Sequence, residues 1–424
     1  MQKEKLLTSN NGVRIYSYKN PSVHGFFISL FVKAGSMYET ESTSGIAHFF
    51  EHASIRNVNK LYGMKLYSEL DRYGLEFNAS TFSEMIQFYV SGADVNFDRG
   101  AEMISKLLSP IILDKSEIDA ERRRIKAEIR ESDDKTSLTT FTNKTVFHNT
   151  SLALSIVGTN SAIDSISAKK LSEYQRGVLS SENIFFYVTG NFTEENLKGL
   201  CDRISSADLK SSVCRENLAP VPDSFGKRSG EIYVKNADFT SLRFTFDIDM
   251  TKYSIAEIDL VYDILLSGYN SKLFVEMSEK RGLFYDVGGS CERYRNIGTL
   301  SFTYEVKQKD IYDAIAITVD VLNSMKRDIE SEVDCMTAPY VDNAYMLYDD
   351  SRELNFTFAY DNHIMDEKYS SVEDRRQRYK NITPDRLREI SSDIFKLSNL
   401  TLTMKTASKK ADKERMKKLL LPLG

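Results

Sequence analysis

Two rhythms of apolar and polar positions trade places along this chain in a fixed order. Alternation with a period of two marks residues 13–18 and 25–34 as strands. Apolar positions spaced three and four apart then predict a helix starting near Ser44 and a second at about 63–72. Residues 75–81 and 85–92 read as a hairpin, helices follow near 96–108 and 116–132, and a strand at 184–189 closes the series. The order then recurs. Gly74-Leu75 opens one hairpin and Gly282-Leu283 another, 208 positions later; the strand after Asn183 has a counterpart after Asn399, 216 positions on. A period of half the chain predicts a duplicated domain and not a solenoid. The predicted division is residues 1–215, a linker at 216–230 carrying Pro220, Pro222, Gly226 and Gly230, and residues 231–424. Hairpins with helices on one face make each half α+β, with a mostly antiparallel sheet.

The first predicted helix carries His48-Phe49-Phe50-Glu51-His52. Side chains four apart on a helix project from the same face, so two imidazoles one turn apart are spaced to hold one divalent metal. Glu51 on the same turn is placed to take a proton from an activated water. H-x-x-E-H is the mark of the inverted zinc proteases. Ile46, Ala47, Phe49 and Phe50 frame the motif, which makes the helix largely buried and requires partners for its polar groups. The second half has Leu266-Ser267-Gly268-Tyr269 at the place read as equivalent, so only the first half is expected to carry metal.

Composition narrows the reading without redirecting it. With 41% hydrophobic and 28% charged residues the chain is an ordinary globular one, and a formal net charge of -5 gives no electrostatic case for nucleic acid or an anionic membrane. Cys201, Cys214, Cys291 and Cys335 are scattered and read as reduced, buried thiols. No apolar signal region or membrane-length run is present, and a cytoplasmic protein is expected. The basic stretch 409–418 reads as a solvated terminal helix.

A catalytic zinc site needs a third protein ligand. The segment 117–132 is the best source: Ile118, Ile125 and Ile129 mark its buried face, and Glu121 and Glu128 lie beside that face two turns apart. A carboxylate directed into a core must be paired or metal-bound. On this ground either Glu121 or Glu128 serves. A zinc that only holds the fold would be closed by four ligands, often Cys, and no cysteine is near in sequence.

Over nearly its whole length the sequence resembles the pitrilysin-type M16 metallopeptidases. The resemblance is carried by Gly45-Ile46-Ala47-His48-Phe49-Phe50-Glu51-His52, Leu75-Glu76-Phe77-Asn78-Ala79-Ser80-Thr81, Glu121 with Glu128-Ile129, Val157-Gly158-Thr159, and Glu279-Lys280-Arg281-Gly282-Leu283-Phe284-Tyr285. It implies the metallohydrolase fold shared with mitochondrial processing peptidase and a metalloendopeptidase activity on unfolded peptides. It implies one Zn2+ per chain on His48, His52 and Glu128, with Glu51 as general base. Glu121 is implied as a carboxylate supporting the ligands, and Asn78, Ala79 and Tyr285 as substrate-binding.

One departure bears on partners. Active members carry an Arg seven positions before the Tyr that corresponds to Tyr285, and here that position is Ser278; Arg281 belongs to the family pattern in its own right. The resemblance therefore implies a catalytic subunit of a heterodimer, with a homologous partner chain supplying Arg and Tyr; the other arrangement is a homodimer. The competing expectation is a non-catalytic structural subunit of a larger complex.

Overall fold

The computed structural model describes residues 3–132, 137–209, 213–226, 228, 231–236, 240–406 and 412–424. Gly230 of the predicted linker and the first residues of the basic stretch at 409–418 lie outside them. The chain forms two compact units. One holds Met1–Asp133, Leu154–Asn217 and Tyr345–Val372, and the other Asp134–Ala153, Leu218–Ala344 and Glu373–Gly424. The change from one to the other between Asn217 and Leu218 falls in the predicted linker, but each unit also takes a segment from the far side of that point.

The first unit is built on a six-stranded sheet of β1 (Lys5–Thr8), β2 (Arg14–Lys19), β3 (Gly25–Val32), β4 (Glu76–Thr81), β5 (Ile86–Ala93) and β6 (Ile184–Gly190), in the order β1-β2-β6-β3-β5-β4. β2 and β6 run parallel, and the other pairs antiparallel. Because successive strand side chains point to opposite faces, Phe26, Ile28, Leu30 and Val32 share one face with Phe88, Val90, Phe186 and Val188. They form one core with Phe49, Phe50 and Ala53 of α1 (Ile46–Leu61) and with Phe97, Ala101 and Ile104 of the helix Phe97–Ser105. The opposite face is covered by the helix Ser351–Ala359. Its Asn355 is fully buried, accepts from Ser29 Oγ at 2.7 Å and donates to the Tyr187 carbonyl at 2.9 Å. Both faces of β3 are therefore dry, which explains its nearly unbroken apolar run.

The second unit repeats the plan. Its strands β7 (Glu231–Asn236), β8 (Ser241–Asp249), β9 (Val287–Arg293), β10 (Ile297–Glu305) and β11 (Leu400–Thr406) are ordered β7-β11-β8-β10-β9, again with one parallel pair, β7 with β11. Apart from β1, this matches the first sheet strand for strand. Its second face also takes a helix from the far side of the linker, Leu138–Val146, whose Thr142 hydroxyl lies 2.6 Å from that of Thr403.

Three sequence expectations are corrected. The predicted helix at 63–72 starts only at Leu66, because Gly63 and Met64 take positive φ and break the chain after α1. The counterpart of α1 is the helix Ile255–Leu266, so Leu266-Ser267-Gly268-Tyr269 marks its end and not the place of the motif. That helix carries Asp259 and Asp263 one turn apart. Tyr379 donates to Asp259 at 2.7 Å, and Tyr340 and Ser267 donate to Asp263 at 2.7 and 2.6 Å. Nor are the cysteines buried: Cys214 and Cys335 are exposed and Cys201 and Cys291 half-buried, all four as free thiols. Cys335 faces solvent because Val333 and Met336 supply the buried side of its helix.

Candidate metal centre

Helix α1 buries Phe49, Phe50, Ala53 and Asn57 and turns Glu51, His52 and Ile55 toward a cleft. Its start is fixed by close backbone contact. Gly45 has φ +88°, and a Cβ there would stand 2.8 Å from Gly158 Cα. A Cβ on Gly158 would stand 2.5 Å from the Ser44 carbonyl oxygen. Glu39 caps the same end, accepting from the N–H groups of Gly45 at 2.7 Å and Ala47 at 2.9 Å. Burial raises the Glu39 carboxyl to about 7 against those two bonds.

After α2 (Leu66–Tyr73) and α3 (Phe97–Ser105) comes α4 (Lys115–Ser132), which lies along α1 in a register set by charge. Lys60 pairs with Glu117 at 2.6 Å, and one turn back along α1 Arg56 pairs with Glu121 at 2.8 Å. Continuing the same way, α4 reaches Glu128 where α1 reaches His52 and His48. Glu128 Oε1 is 3.5 Å from His52 Nε2, and Oε2 is 3.5 Å from His48 Nε2. Asn57 ties α1 to the approach to α4, donating to the Pro110 carbonyl at 3.1 Å and accepting from Ile112 N–H at 2.9 Å.

His48, His52 and Glu128 are thus brought together, and among the described residues they form the group whose ligand atoms, all within 4.8 Å of one another, suit a metal ion. The donor set fits zinc: ligands about 2.0–2.1 Å from a tetrahedral ion stand about 3.3–3.4 Å apart, close to the 3.5 Å between Glu128 and each histidine Nε2. Glu121 has a different place. Its carboxylate, 2% exposed, is taken by Arg56, by Arg124 at 3.3 Å and by His52 Nδ1 at 3.4 Å. Holding Nδ1 leaves His52 Nε2 free, and of the two glutamates it is Glu128, 41% exposed, that faces the Nε2 atoms of both histidines.

The charges of the site follow from its burial. Desolvation, aided by the neighbouring His52, lowers His48 to about 4. Desolvation also opposes charge on His52, but the bond to Glu121 and the charges of Glu128 and Glu51 outweigh it and raise its pKa. Burial raises the Glu51 carboxyl against the pull of a hydrogen bond from Thr81 Oγ1 at 2.6 Å. For Glu121 burial is again the largest influence, yet the bonds from His52 and Arg56 win and its pKa falls.

Asn78 and Ala79 lie on β4, and among the described residues no strand pairs with the outer edge of β4. Asn78 lines, with Glu51, His52, Ile55, Arg56 and Tyr67, a cleft of about 350 Å³. Tyr285 lies in the second unit, before β9, and is 96% exposed. Ser278 donates to the Phe284 carbonyl at 3.0 Å, and the Arg281 guanidinium is held by Glu276 at 2.6 Å. Sequence reasoning missed Thr81, Arg56 and Glu39. Arg56 follows His52 by one helical turn, and the same i, i+4 rule that joined the histidines points to it.

The sequence matches the family described as Insulinase (Peptidase family M16) over residues 14–160, and that described as Peptidase M16 inactive domain over residues 165–334. An uncharacterized zinc protease of Rickettsia bellii is 25% identical over 326 residues, 76% of this chain and 77% of that protein. Mitochondrial-processing peptidase subunit beta of Rattus norvegicus is 31% identical over 166 residues, 39% of this chain and 34% of that one. A protease from Helicobacter pylori shares the fold with a TM-score of 0.83 at 17% identity, over 96% of this chain and all (100%) of that one. The periplasmic protease PqqL from Escherichia coli does so at 0.80 and 18% identity, over 98% of this chain and 49% of that one. Among the described residues no helix is long and apolar enough to cross a membrane. With M16 family matches over residues 14–160, which carry the motif, and over residues 165–334, the chain belongs to the M16 family of zinc peptidases.

Proposed function

We propose that this chain is a zinc-dependent endopeptidase for unfolded peptides or flexible segments. The observation that carries the reading is the convergence of His48, His52 and Glu128, with Glu51 on the same helical face. Zinc held by these three would supply the Lewis acidity that activates water and polarises the peptide carbonyl. Glu51, the carboxylate beside them, takes the proton of the attacking water and returns it to the leaving amine. Its raised pKa suits a group that must hold a proton between those events. Glu121 fixes the ring of His52. Substrate lies extended along the open edge of β4, offering its backbone to Ala79.

In this reading the second half, residues 231–424, is non-catalytic and contributes to dimer contacts, and a homologous partner chain supplies the arginine absent at Ser278. The four free cysteines, two of them exposed, favour a reducing, cytoplasmic setting. The test is cleavage of an unstructured peptide by the zinc-loaded chain, alone and with a candidate M16 partner. Glu51→Gln should abolish cleavage while zinc stays bound. Turnover by that variant at the wild-type rate would remove Glu51 from its role, and full activity of the isolated chain would remove the partner.

A further inference from the structure

The open edge of β4 is not bare. Asn78 Oδ1 accepts a hydrogen bond from the N–H of the next residue, Ala79, at 2.9 Å. Which way that N–H points follows from the ladder. β4 and β5 pair with Thr81 opposite Ile86, and the pairing continues to Phe82, whose N–H donates to Met85 at 2.8 Å. Antiparallel pairs alternate between hydrogen-bonded and non-hydrogen-bonded, so Ser80, Asn78 and Glu76 bond to β5, whereas Thr81, Ala79 and Phe77 turn their N–H and C=O groups outward. Asn78 therefore covers a donor on the free edge, where the carbonyl of an added strand would bind.

The second unit has the same device. β9 is the matching edge strand, paired with β10 alone among the described residues. Tyr294 N–H donates to Ile297 at 2.8 Å beyond the last pair, Arg293 with Gly298, so Val287 turns its N–H outward by the same alternation. The oxygen on it is Asp286 Oδ1, at 2.9 Å. Asp286 follows Asn78 by 208 positions, the offset that separates Gly74 from Gly282. Two edges at matching places in the two sheets carry the same self-cap. A free strand edge is a liability for unwanted pairing, and a side chain seated on an outward N–H blunts it.

We infer that Asn78 is the gate of the peptide-binding edge, its side-chain oxygen holding the position on Ala79 N–H that a substrate carbonyl must take. This rests on the reading of β4 as the substrate strand. The gate sets how readily any extended peptide docks, independent of its sequence. A carboxylate in the same position holds the N–H more firmly, because charge-assisted bonds are stronger, and repels an incoming carbonyl oxygen. The second unit, with Asp286, is in that more closed state.

The test uses full-length Asn78→Ala and Asn78→Asp in a Glu51→Gln background, with the Kd of one unstructured peptide read by fluorescence anisotropy. Amide exchange at Ala79 is followed in the peptide-free proteins. Affinity should rank Ala above Asn above Asp, with steps of roughly two- to tenfold, the size expected for one exchanged hydrogen bond. Ala79 exchange should quicken in Asn78→Ala. An unchanged or weakened affinity in Asn78→Ala, or equal Ala79 exchange in all three, overturns the gate. Absence of peptide cleavage by the zinc-loaded wild type in the presence of an M16 partner chain would instead count against the peptidase reading, and the exchange comparison would still decide the gate.

Discussion

Thr81 Oγ1 donates to Glu51 Oε2 at 2.6 Å, joining the open-edge strand β4 to the carboxylate between the two histidines of α1. The bond fixes one oxygen of Glu51 and leaves the other for a water. Thr81→Val removes it at nearly constant volume and should lower kcat by about tenfold, the value of one hydrogen bond to a charged group, with zinc content unchanged. Thr81→Ser should restore most of the rate. Steady-state kinetics on the three proteins decide the matter, and a Val variant as fast as wild type would show that Glu51 needs no such orientation.

Glu121 lies 3.4 Å from His52 Nδ1, and the proposed zinc site predicts that it supports the metal through that ring. Glu121→Gln keeps the shape but withdraws the charge that balances Arg56 and Arg124 and weakens the bond to His52 Nδ1. Zinc affinity should fall by about 10- to 100-fold, measured by competition with a chromophoric chelator. An affinity equal to wild type would mean that the Glu121–His52 contact has no part in holding the ion.

Proton competition should be unequal at the two histidines. His48, lowered to about 4, is already neutral at pH 7 and gives up no proton to an incoming metal. His52, raised, still carries charge somewhat above its ordinary value of 6.5, so zinc binding there releases a proton. In the metal-free protein the two have opposite linkage. His48 binds fewer protons folded than unfolded, so its contribution falls as pH drops from 6.5 to about 4. The contribution of His52 is full below 6.5 and is lost as pH rises through its raised pKa. Calorimetric titration of zinc at pH 7 in buffers of different ionisation enthalpy should find release of at most one proton; release of two would show that both imidazoles are charged.

Much of the site was legible because it is local. His48, Glu51 and His52 lie within two turns of one helix, and period-two runs located strands β2 to β6. What escaped depends on partners distant in sequence. β1 has all four residues exposed and no apolar rhythm to announce it. The helix Ser351–Ala359 joins the first unit through Asn355, a polar residue whose role is set by Ser29 and Tyr187 more than 160 positions away. Glu128 and Glu121 are indistinguishable by helical periodicity, since both flank the same buried stripe; only the register of α4 on α1, fixed by Lys60–Glu117 and Arg56–Glu121, sets Glu128 against both Nε2 atoms and Glu121 against His52 Nδ1.

The central claim is that one metal ion at His48, His52 and Glu128 makes this chain a peptidase. Its most direct test is to strip the protein with chelator and titrate zinc back while following cleavage of an unstructured peptide in the presence of a partner chain. Activity should climb in proportion to bound metal and level off at one zinc per chain, with Glu128→Gln failing to recover. Cleavage that persists in the stripped protein, or zinc that binds without restoring it, contradicts the account.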